Sequence, residues 1–463
     1  MLPVIAIVGR PNVGKSTLFN RLTRSRKALV ADVPGLTRDR LYAQAQYEKQ
    51  RFIVIDTGGL AANLDHKVDE LMQQQANQAI IEADIIFFIV DGRVGRTAAD
   101  EVLANQLRQL KKPLFFIVNK TDGIDPTISL IEFHSLGFKT SYPISAEHGH
   151  NVNRLLDAVV PYFPKKTAQD NQPQGVKIAV IGRPNAGKST LVNRILGEER
   201  VIVSEVAGTT RDSIYIPFKR HDKDYVIIDT AGVRRRGKVK VVIEKFSIVK
   251  TLQAIQDADV VIYLINAREN IVEHDMKLLG FILEQGKALV VGFNKWDGLK
   301  ESLKQSIKMN INRRLRFLNF VKFQFMSALY GTGVGDLFPA VEQAYQSATK
   351  NVSTAKLNQL LRSALQVHAP PLVRGRRVKL SYAHQGGKCP PVIVIHGNQT
   401  ETLRDSYRQF LTNYFRTRLQ LIGTPLRLQF KTAENPFKGK KNQLTARQQQ
   451  KRKRLMRHAK DKK

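Results

Sequence analysis

Short apolar runs rich in β-branched and aromatic residues recur along the first 350 residues, with polar, helix-length segments between them. VIAIVG (4–9), RFIVID (51–56), IIFFIV (85–90) and PLFFIVNK (113–120) have few polar interruptions, the pattern of strands buried on both faces. KSTLFNRLT (15–23) instead spaces Leu18, Phe19 and Leu22 along one face of a helix. Strands alternating with helices predict an α/β architecture: a doubly wound, mostly parallel sheet with helices on both faces. After Asn351 the pattern changes. TAKLNQLLRSALQVH (354–368) and LRDSYRQFLTNYFRTRLQ (403–420) read as helices, while RRVKLSYAHQ (376–385), PPVIVIHGN (390–398) and LRLQFK (426–431) read as strands. A small α-β-β-α-β unit is expected there.

The first pattern occurs twice. GRPNVGKS (9–16) and GRPNAGKS (182–189) lie 173 residues apart, as do LTRD (36–39) and TTRD (209–212), and DTGG (56–59) and DTAG (229–232). NKTD (119–122) and NKWD (294–297) are 175 apart, and SAEHG (145–149) and SALYG (327–331) are 182 apart, so extra residues accumulate only late in the second copy. Five motifs in one order, twice, mark a tandem duplication. The joint PYFPKKTAQDNQPQG (161–175) is polar and carries Pro161, Pro164 and Pro173, the composition of a linker. The expected layout is a first domain at 1–163, a linker at 164–176, a second domain at 177–350, a small domain at 351–437 and a tail at 438–463.

Each motif has a chemical reading. Gly9, Arg10, Pro11, Asn12, Val13, Gly14, Lys15 and Ser16 form a glycine-rich loop between strand and helix, repeated as Gly182, Arg183, Pro184, Asn185, Ala186, Gly187, Lys188 and Ser189. Backbone N–H groups of such a loop converge on phosphate oxygens at the positive end of the following helix. Lys15 and Lys188 can reach the β- and γ-phosphates, and the Ser16 and Ser189 hydroxyls can ligate Mg2+. Asp56, Thr57, Gly58, Gly59 and Leu60 follow a strand, as do Asp229, Thr230, Ala231, Gly232 and Val233. Asp56 and Asp229 can hold the metal through water, and Gly59 and Gly232 can offer an N–H to the γ-phosphate. Thr37 and Thr210 can place a hydroxyl on Mg2+, so loss of the γ-phosphate would release both loops. Lys15, Thr37 and Gly59, with Lys188, Thr210 and Gly232, form the candidate catalytic sets.

The base is read elsewhere. Asn119, Lys120, Thr121 and Asp122, and Asn294, Lys295, Trp296 and Asp297, carry a carboxylate that can accept hydrogen bonds from guanine N1–H and the 2-amino group. Adenine offers neither donor there, so discrimination is large. Ala146 after Ser145, and Ala328 after Ser327, can offer a backbone N–H to guanine O6. Both sites therefore read as GTP/GDP sites. Leu60 and Val233 stand where Ras-like switches carry Gln, so hydrolysis is expected to be slow unless another group supplies charge.

Charge adds a partner. The formal net charge of +34 is distributed as +2 over 1–163, +10 over 164–349, +11 over 350–437 and +11 over 438–463. A field that rises toward the C-terminus suits a polyanion, because clustered Lys and Arg release condensed counterions from nucleic acid. Cys389 is the only cysteine, which precludes an intramolecular disulfide and suits a reducing, cytoplasmic setting. MLPVIAIVG (1–9) lacks a basic n-region and a cleavage site and reads as a strand; no apolar run approaches the ~20 residues of a membrane helix. No membrane partner is expected.

Together with AGVRRRGKV (231–239), EKFSIVKTLQAIQDAD (244–259) and the basic C-terminal third, these tandem motifs resemble the Der, or EngA, family of bacterial ribosome-assembly GTPases over roughly residues 1–437. The resemblance implies a slow GTPase that matures the large ribosomal subunit on its rRNA, acting as a ribosome-associated monomer. It also implies that Asn12 and Asn185 help to bind K+, whose charge substitutes for an arginine finger, and that the C-terminal unit is KH-like. KH domains clamp single strands with a GXXG loop, which is not found between paired helices here; Gly386 and Gly387 are expected in a turn between strands. RRRGKVK (234–240) would attach a basic surface to the second switch, and the tail is expected to be disordered when free. A GTP-dependent RNA scaffold with one hydrolysing site, and a tRNA-modification GTPase, remain alternatives.

Overall fold

The computed structural model describes residues 2–23, 30–31, 41–48, 50–57, 79–123, 130, 132–163, 174–197, 201–203, 214–229, 248–373, 376–432 and 450. In the first copy, strands β1 (Val4–Val8), β2 (Val30–Ala31), β3 (Leu41–Tyr47), β4 (Gln50–Asp56), β5 (Ile85–Asp91), β6 (Leu114–Asn119) and β7 (Ser141–Pro143) form one sheet. Its order is β2-β3-β4-β1-β5-β6-β7. From β4 through β7 every pairing is parallel; β2 and β3 extend the sheet by antiparallel pairing.

β1 is buried along its whole length, and its side chains divide by parity between the two faces. Ile5 and Ile7 pack with Leu18, Phe19 and Leu22 of α1 (Lys15–Thr23) on one face. Val4, Ala6 and Val8 pack with Ala104 and Leu107 of α2 (Ala98–Arg108) on the other. α3 (Val152–Val159) returns to the first face through Leu155 and Leu156. Helices on both faces of a mainly parallel sheet are what the strand–helix alternation predicts. α2 starts sharply because Thr97 and Asp100 cap each other's backbone N–H groups.

The second copy repeats the arrangement. Strands β8 (Val176–Gly182), β9 (Val201–Val203), β10 (Ile214–Arg220), β11 (Lys223–Asp229), β12 (Val260–Asn266), β13 (Ala288–Asn294) and β14 (Phe323–Phe325) take the order β14-β13-β12-β8-β11-β10-β9, which matches the first sheet position for position. Its helices are α4 (Lys188–Leu196), α5 (Ile248–Asp257), α6 (Glu273–Glu284), α7 (Glu301–Arg314) and α8 (Leu337–Thr349).

The C-terminal segment has the expected order. α9 (Thr354–Val367) precedes a short hairpin, β15 (Leu372–Val373) with β16 (Arg376–Arg377), that the sequence pattern does not announce. Then come β17 (Lys379–Gly387), β18 (Val392–Asn398), α10 (Asp405–Arg418) and β19 (Arg427–Thr432). β18 lies between an antiparallel β17 and a parallel β19. Tyr407, Leu411 and Phe415, one turn apart on α10, bury its inner face. One expectation is corrected: Gly386 and Gly387 close β17 and are not in a turn, since Gly387 pairs with Val392 after a register shift. With no Cβ, glycine lets the strand carry that irregularity.

By packing density the chain divides into two compact units. One comprises Met1–Lys350 with Lys388–Pro391 and Gln420–Leu426; the other comprises Asn351–Gly387, Val392–Leu419 and Arg427–Lys463. Both copies of the large sheet belong to the first. Among the described residues, no helix is long and apolar enough to cross a membrane.

Candidate nucleotide sites

At the C-terminal ends of β1 and β8, where open α/β sheets hold their ligands, the chain turns through a glycine-rich loop into α1 and α4. Asn12 and Asn185 take left-handed backbone at φ 65° and 62°, and Gly14 and Gly187 at φ 98° and 93°. A Cβ on Gly14 would run into the Asn119 side-chain amide, and one on Gly187 into that of Asn294. Neither conformation nor space admits a larger residue. A left-handed asparagine at the same place in both copies is strain of the kind that fold alone does not require.

Lys15 and Lys188, both 7 % exposed, open their helices and donate from Nζ to the loop carbonyls of Arg10 at 2.7 Å and Arg183 at 2.9 Å. Burial pushes the Lys15 ammonium down to about 8, opposed by the charge of Asp56 and reinforced by that of Arg10. Asp56 is fully buried at the end of β4 and Ser16 is half-buried in the first turn of α1. A carboxylate and a hydroxyl beside a phosphate-binding loop are hard oxygen donors of the kind Mg2+ takes. In the second copy, Ser189 is also half-buried and Asp229 ends β11.

Other loop side chains face the protein. Arg10 Nε lies 3.4 Å from Asp100 of α2, and Arg183 Nε lies 3.3 Å from Asp275 of α6. These arginines tie the loop to a helix N-terminus. Thr57 likewise spends its hydroxyl on the carbonyl of Ile7 at 2.8 Å.

The NKTD and NKWD segments close against these loops. Asn119 Nδ2 donates to the Val13 carbonyl at 2.8 Å, and its Oδ1 accepts the Ala146 N–H at 2.9 Å. Asn294 makes the same pair of bonds, at 2.8 Å each, to Ala186 and Ala328. The Ala146 and Ala328 N–H groups, expected to face guanine O6, thus also meet the asparagine of the same site. Each N–H supplies a donor to an asparagine carbonyl that is buried. Ser145 Oγ donates to Asp122 Oδ1 at 2.9 Å, and this bond is the largest cause holding the Asp122 carboxyl below the ordinary carboxylate range. Ser327 does the same for Asp297.

The flanking residues differ between copies. Lys120, at φ 64°, donates to the Asn12 carbonyl at 2.8 Å and to Asp91 Oδ2 at 2.6 Å. Burial pushes the Asp91 carboxyl up, but the Lys120 bond and backbone N–H bonds outweigh it and keep it below its ordinary range. Asn266 replaces Asp91 in the second copy, where Lys295 takes the same left-handed backbone at φ 63°. Thr121 bonds the Ile144 carbonyl through its hydroxyl at 3.0 Å; Trp296 packs its ring 4.3 Å from that of Phe325.

Arg93 and Arg268 escape the motif reading. Each guanidinium contacts the last residue of NKTD or NKWD, Asp122 or Asp297. Their one sequence signal is the 175-residue spacing they share with NKTD and NKWD. Thr37, Gly58, Gly59, Leu60, Thr210, Thr230, Ala231, Gly232 and Val233, the Asp229 side chain, residues 164–173, RRRGKVK (234–240), and the tail apart from Gln450 lie outside the described residues.

Comparison with known proteins agrees with this geometry. A family described as "50S ribosome-binding GTPase" matches residues 4–120 and 177–295, and one described as "KH-domain-like of EngA bacterial GTPase enzymes, C-terminal" matches residues 351–431. GTPase Der of Thioalkalivibrio sulfidiphilus is 57 % identical over 100 % of both chains. GTPase Der of Salmonella newport is 53 % identical over 99 % of each. Among solved structures, Era in complex with MgGDPNP and a 16S ribosomal RNA fragment covers 45 % of this chain and 74 % of its own, at 26 % identity and a TM-score of 0.30. Two guanine-type P-loop sites, a KH-like C-terminal segment and full-length likeness to curated relatives lead to one conclusion: the chain belongs to the GTPase Der family of GTP-binding, GTP-hydrolysing enzymes.

Proposed function

We propose that this GTPase is a nucleotide-controlled switch in assembly of the large (50S) ribosomal subunit, docking on rRNA through its basic C-terminal part. One observation carries the reading: two matching guanine-type sites share a chain whose last 114 residues add a net charge of +22. Two independently occupied sites give more than two states of one factor. The positive C-terminal region supplies a salt-sensitive hold on phosphate.

At each site the loop N–H groups and Lys15 or Lys188 hold the phosphates, and Asp122 or Asp297 reads the base. Mg2+, held by Ser16, Thr37 and Asp56 or by Ser189, Thr210 and Asp229, would offset charge that builds on the phosphate oxygens. Asn12 and Asn185 sit exposed on the loop rim, open to a K+ whose charge would stand in for an arginine finger. Turnover compared in K+ and Na+ tests that role; equal rates would remove it.

Sedimentation with purified ribosomal subunits across a salt series, with GTP analogue, GDP or no nucleotide, tests the main reading. The expected result is large-subunit binding by the full chain as a monomer, favoured by the GTP analogue. Equal binding in every nucleotide state, abolished by modest salt, would overturn it.

A further inference from the structure

We infer that Arg93 and Arg268 are positioning residues for guanine recognition, each fixing the second oxygen of the carboxylate that reads the base. The inference rests on Asp122 and Asp297 being the guanine acceptors and adds the groups that aim them. In the first site Arg93 Nη2 donates to Asp122 Oδ2 and reaches the Asp122 backbone carbonyl at 3.5 Å. In the second, Arg268 Nη2 donates to the Asp297 carbonyl at 2.9 Å and to Oδ2 at 3.3 Å. By bonding main chain and carboxylate together, the guanidinium holds the side chain relative to its own backbone.

The arginines are themselves held. The backbone N–H of Arg93 donates to Asp91 Oδ1 at 3.0 Å, and that of Arg268 to Asn266 Oδ1 at 3.1 Å. This local turn needs only a side-chain oxygen, which Asp and Asn both supply. The residue between is pinned too: Gly92 N–H bonds the Asn119 carbonyl and Ala267 N–H the Asn294 carbonyl, both at 2.8 Å. From the end of β5 or β12, a rigid turn therefore delivers an arginine to the base-reading aspartate.

The geometry divides the carboxylate's work. Ser145 fixes Oδ1 of Asp122 and Arg93 fixes Oδ2, and each ionised oxygen retains acceptor capacity for one guanine N–H. Stability gives little reason for such a pair, since the two arginine side chains are 54 % and 51 % exposed and ion pairs this open contribute little to folding. The duplication nonetheless places the same contact at both sites. On this assignment the arginine-held Oδ2 serves the guanine 2-amino group; with the arginine removed the carboxylate can turn about its Cβ–Cγ bond, and the bond to the 2-amino group is the one lost.

The test uses the full chain and compares GDP with IDP, whose base keeps N1–H but lacks the 2-amino group. In the R93A/R268A variant, GDP affinity is expected to fall about tenfold while IDP affinity changes about twofold or less, compressing the GDP/IDP ratio. R93K/R268K, which retains a charged donor, should recover a large part of the ratio. An unchanged ratio with both nucleotides weakened equally would mean a structural role. Tighter GDP binding would mean the arginine competes with the base, and either result overturns the inference. D122N/D297N separates the underlying reading: if it leaves the preference for guanine over xanthine nucleotides unchanged, the aspartates are not the base acceptors.

Discussion

Asn119 donates from Nδ2 to the carbonyl of Val13 at 2.8 Å, joining the NKTD segment to the glycine-rich loop across 106 residues of sequence. Its Oδ1 at the same time receives the Ala146 N–H. One buried side chain therefore holds three loops in register, and the loops must be in register for one nucleotide to touch them all. Substituting Asn119→Ala leaves a buried carbonyl and a buried N–H without partners, at a cost of about 1–3 kcal/mol. GDP affinity at the first site is expected to fall about five- to hundredfold, read by calorimetric titration. Asn294→Ala should do this to the second site alone. If either variant bound GDP at both sites as before, the three-loop tie would not matter to binding.

Most of the framework is visible in the sequence because two-sided burial leaves no room for polar residues. β1 and α1 match the runs VIAIVG and KSTLFNRLT almost residue for residue. The sites are visible because glycine and asparagine are tied to positive φ at Gly14 and Asn12. What escapes is whatever depends on pairing between distant, ordinary residues. Arg93 and Arg268 look like surface charge until their aspartates are seen beside them. The Ala146 N–H looks free until the Asn119 carbonyl is found on it. A glycine pair suggests a turn at 386–387, but only strand pairing reveals that β17 runs through it. The hairpin of β15 and β16 has two residues a side, too few to carry a period.

Lys15 gives the first site a pH dependence whose direction follows from its burial. Burial brings its ammonium down to about 8, and the charged form is the one that meets phosphate. Below that pH the cation is already present. Above it, nucleotide binding must take up a proton, because bound phosphate raises the ammonium's affinity for it. Affinity at the first site should therefore weaken as pH rises past about 8, by up to about tenfold per pH unit until the complex itself titrates. Calorimetry at pH 9 in two buffers of different ionisation heat should show proton uptake that is smaller in Lys15→Arg, whose guanidinium stays charged. Equal uptake in both proteins would place the titrating group elsewhere.

In the C-terminal unit, Asn358 of α9 covers the outer edge of β17. It accepts the Ala383 N–H at 2.9 Å and returns a bond from Nδ2 to the Ala383 carbonyl at 3.1 Å, while the other edge of β17 pairs with β18. Ala383 is fully buried, so without Asn358 neither backbone group would have water as a substitute. Among the described residues no strand pairs with β17 on that side; the side chain takes the place of one, and so closes an edge that would otherwise be open to a second chain. Asn358→Leu keeps the volume and removes both bonds, and is expected to destabilise this unit by about 2 kcal/mol. The Ala383 amide should then exchange hydrogen about tenfold faster or more, and the midpoint of denaturant unfolding of this unit should fall. If Ala383 exchange were unaltered in Asn358→Leu, the β17 edge would be held by something other than this amide.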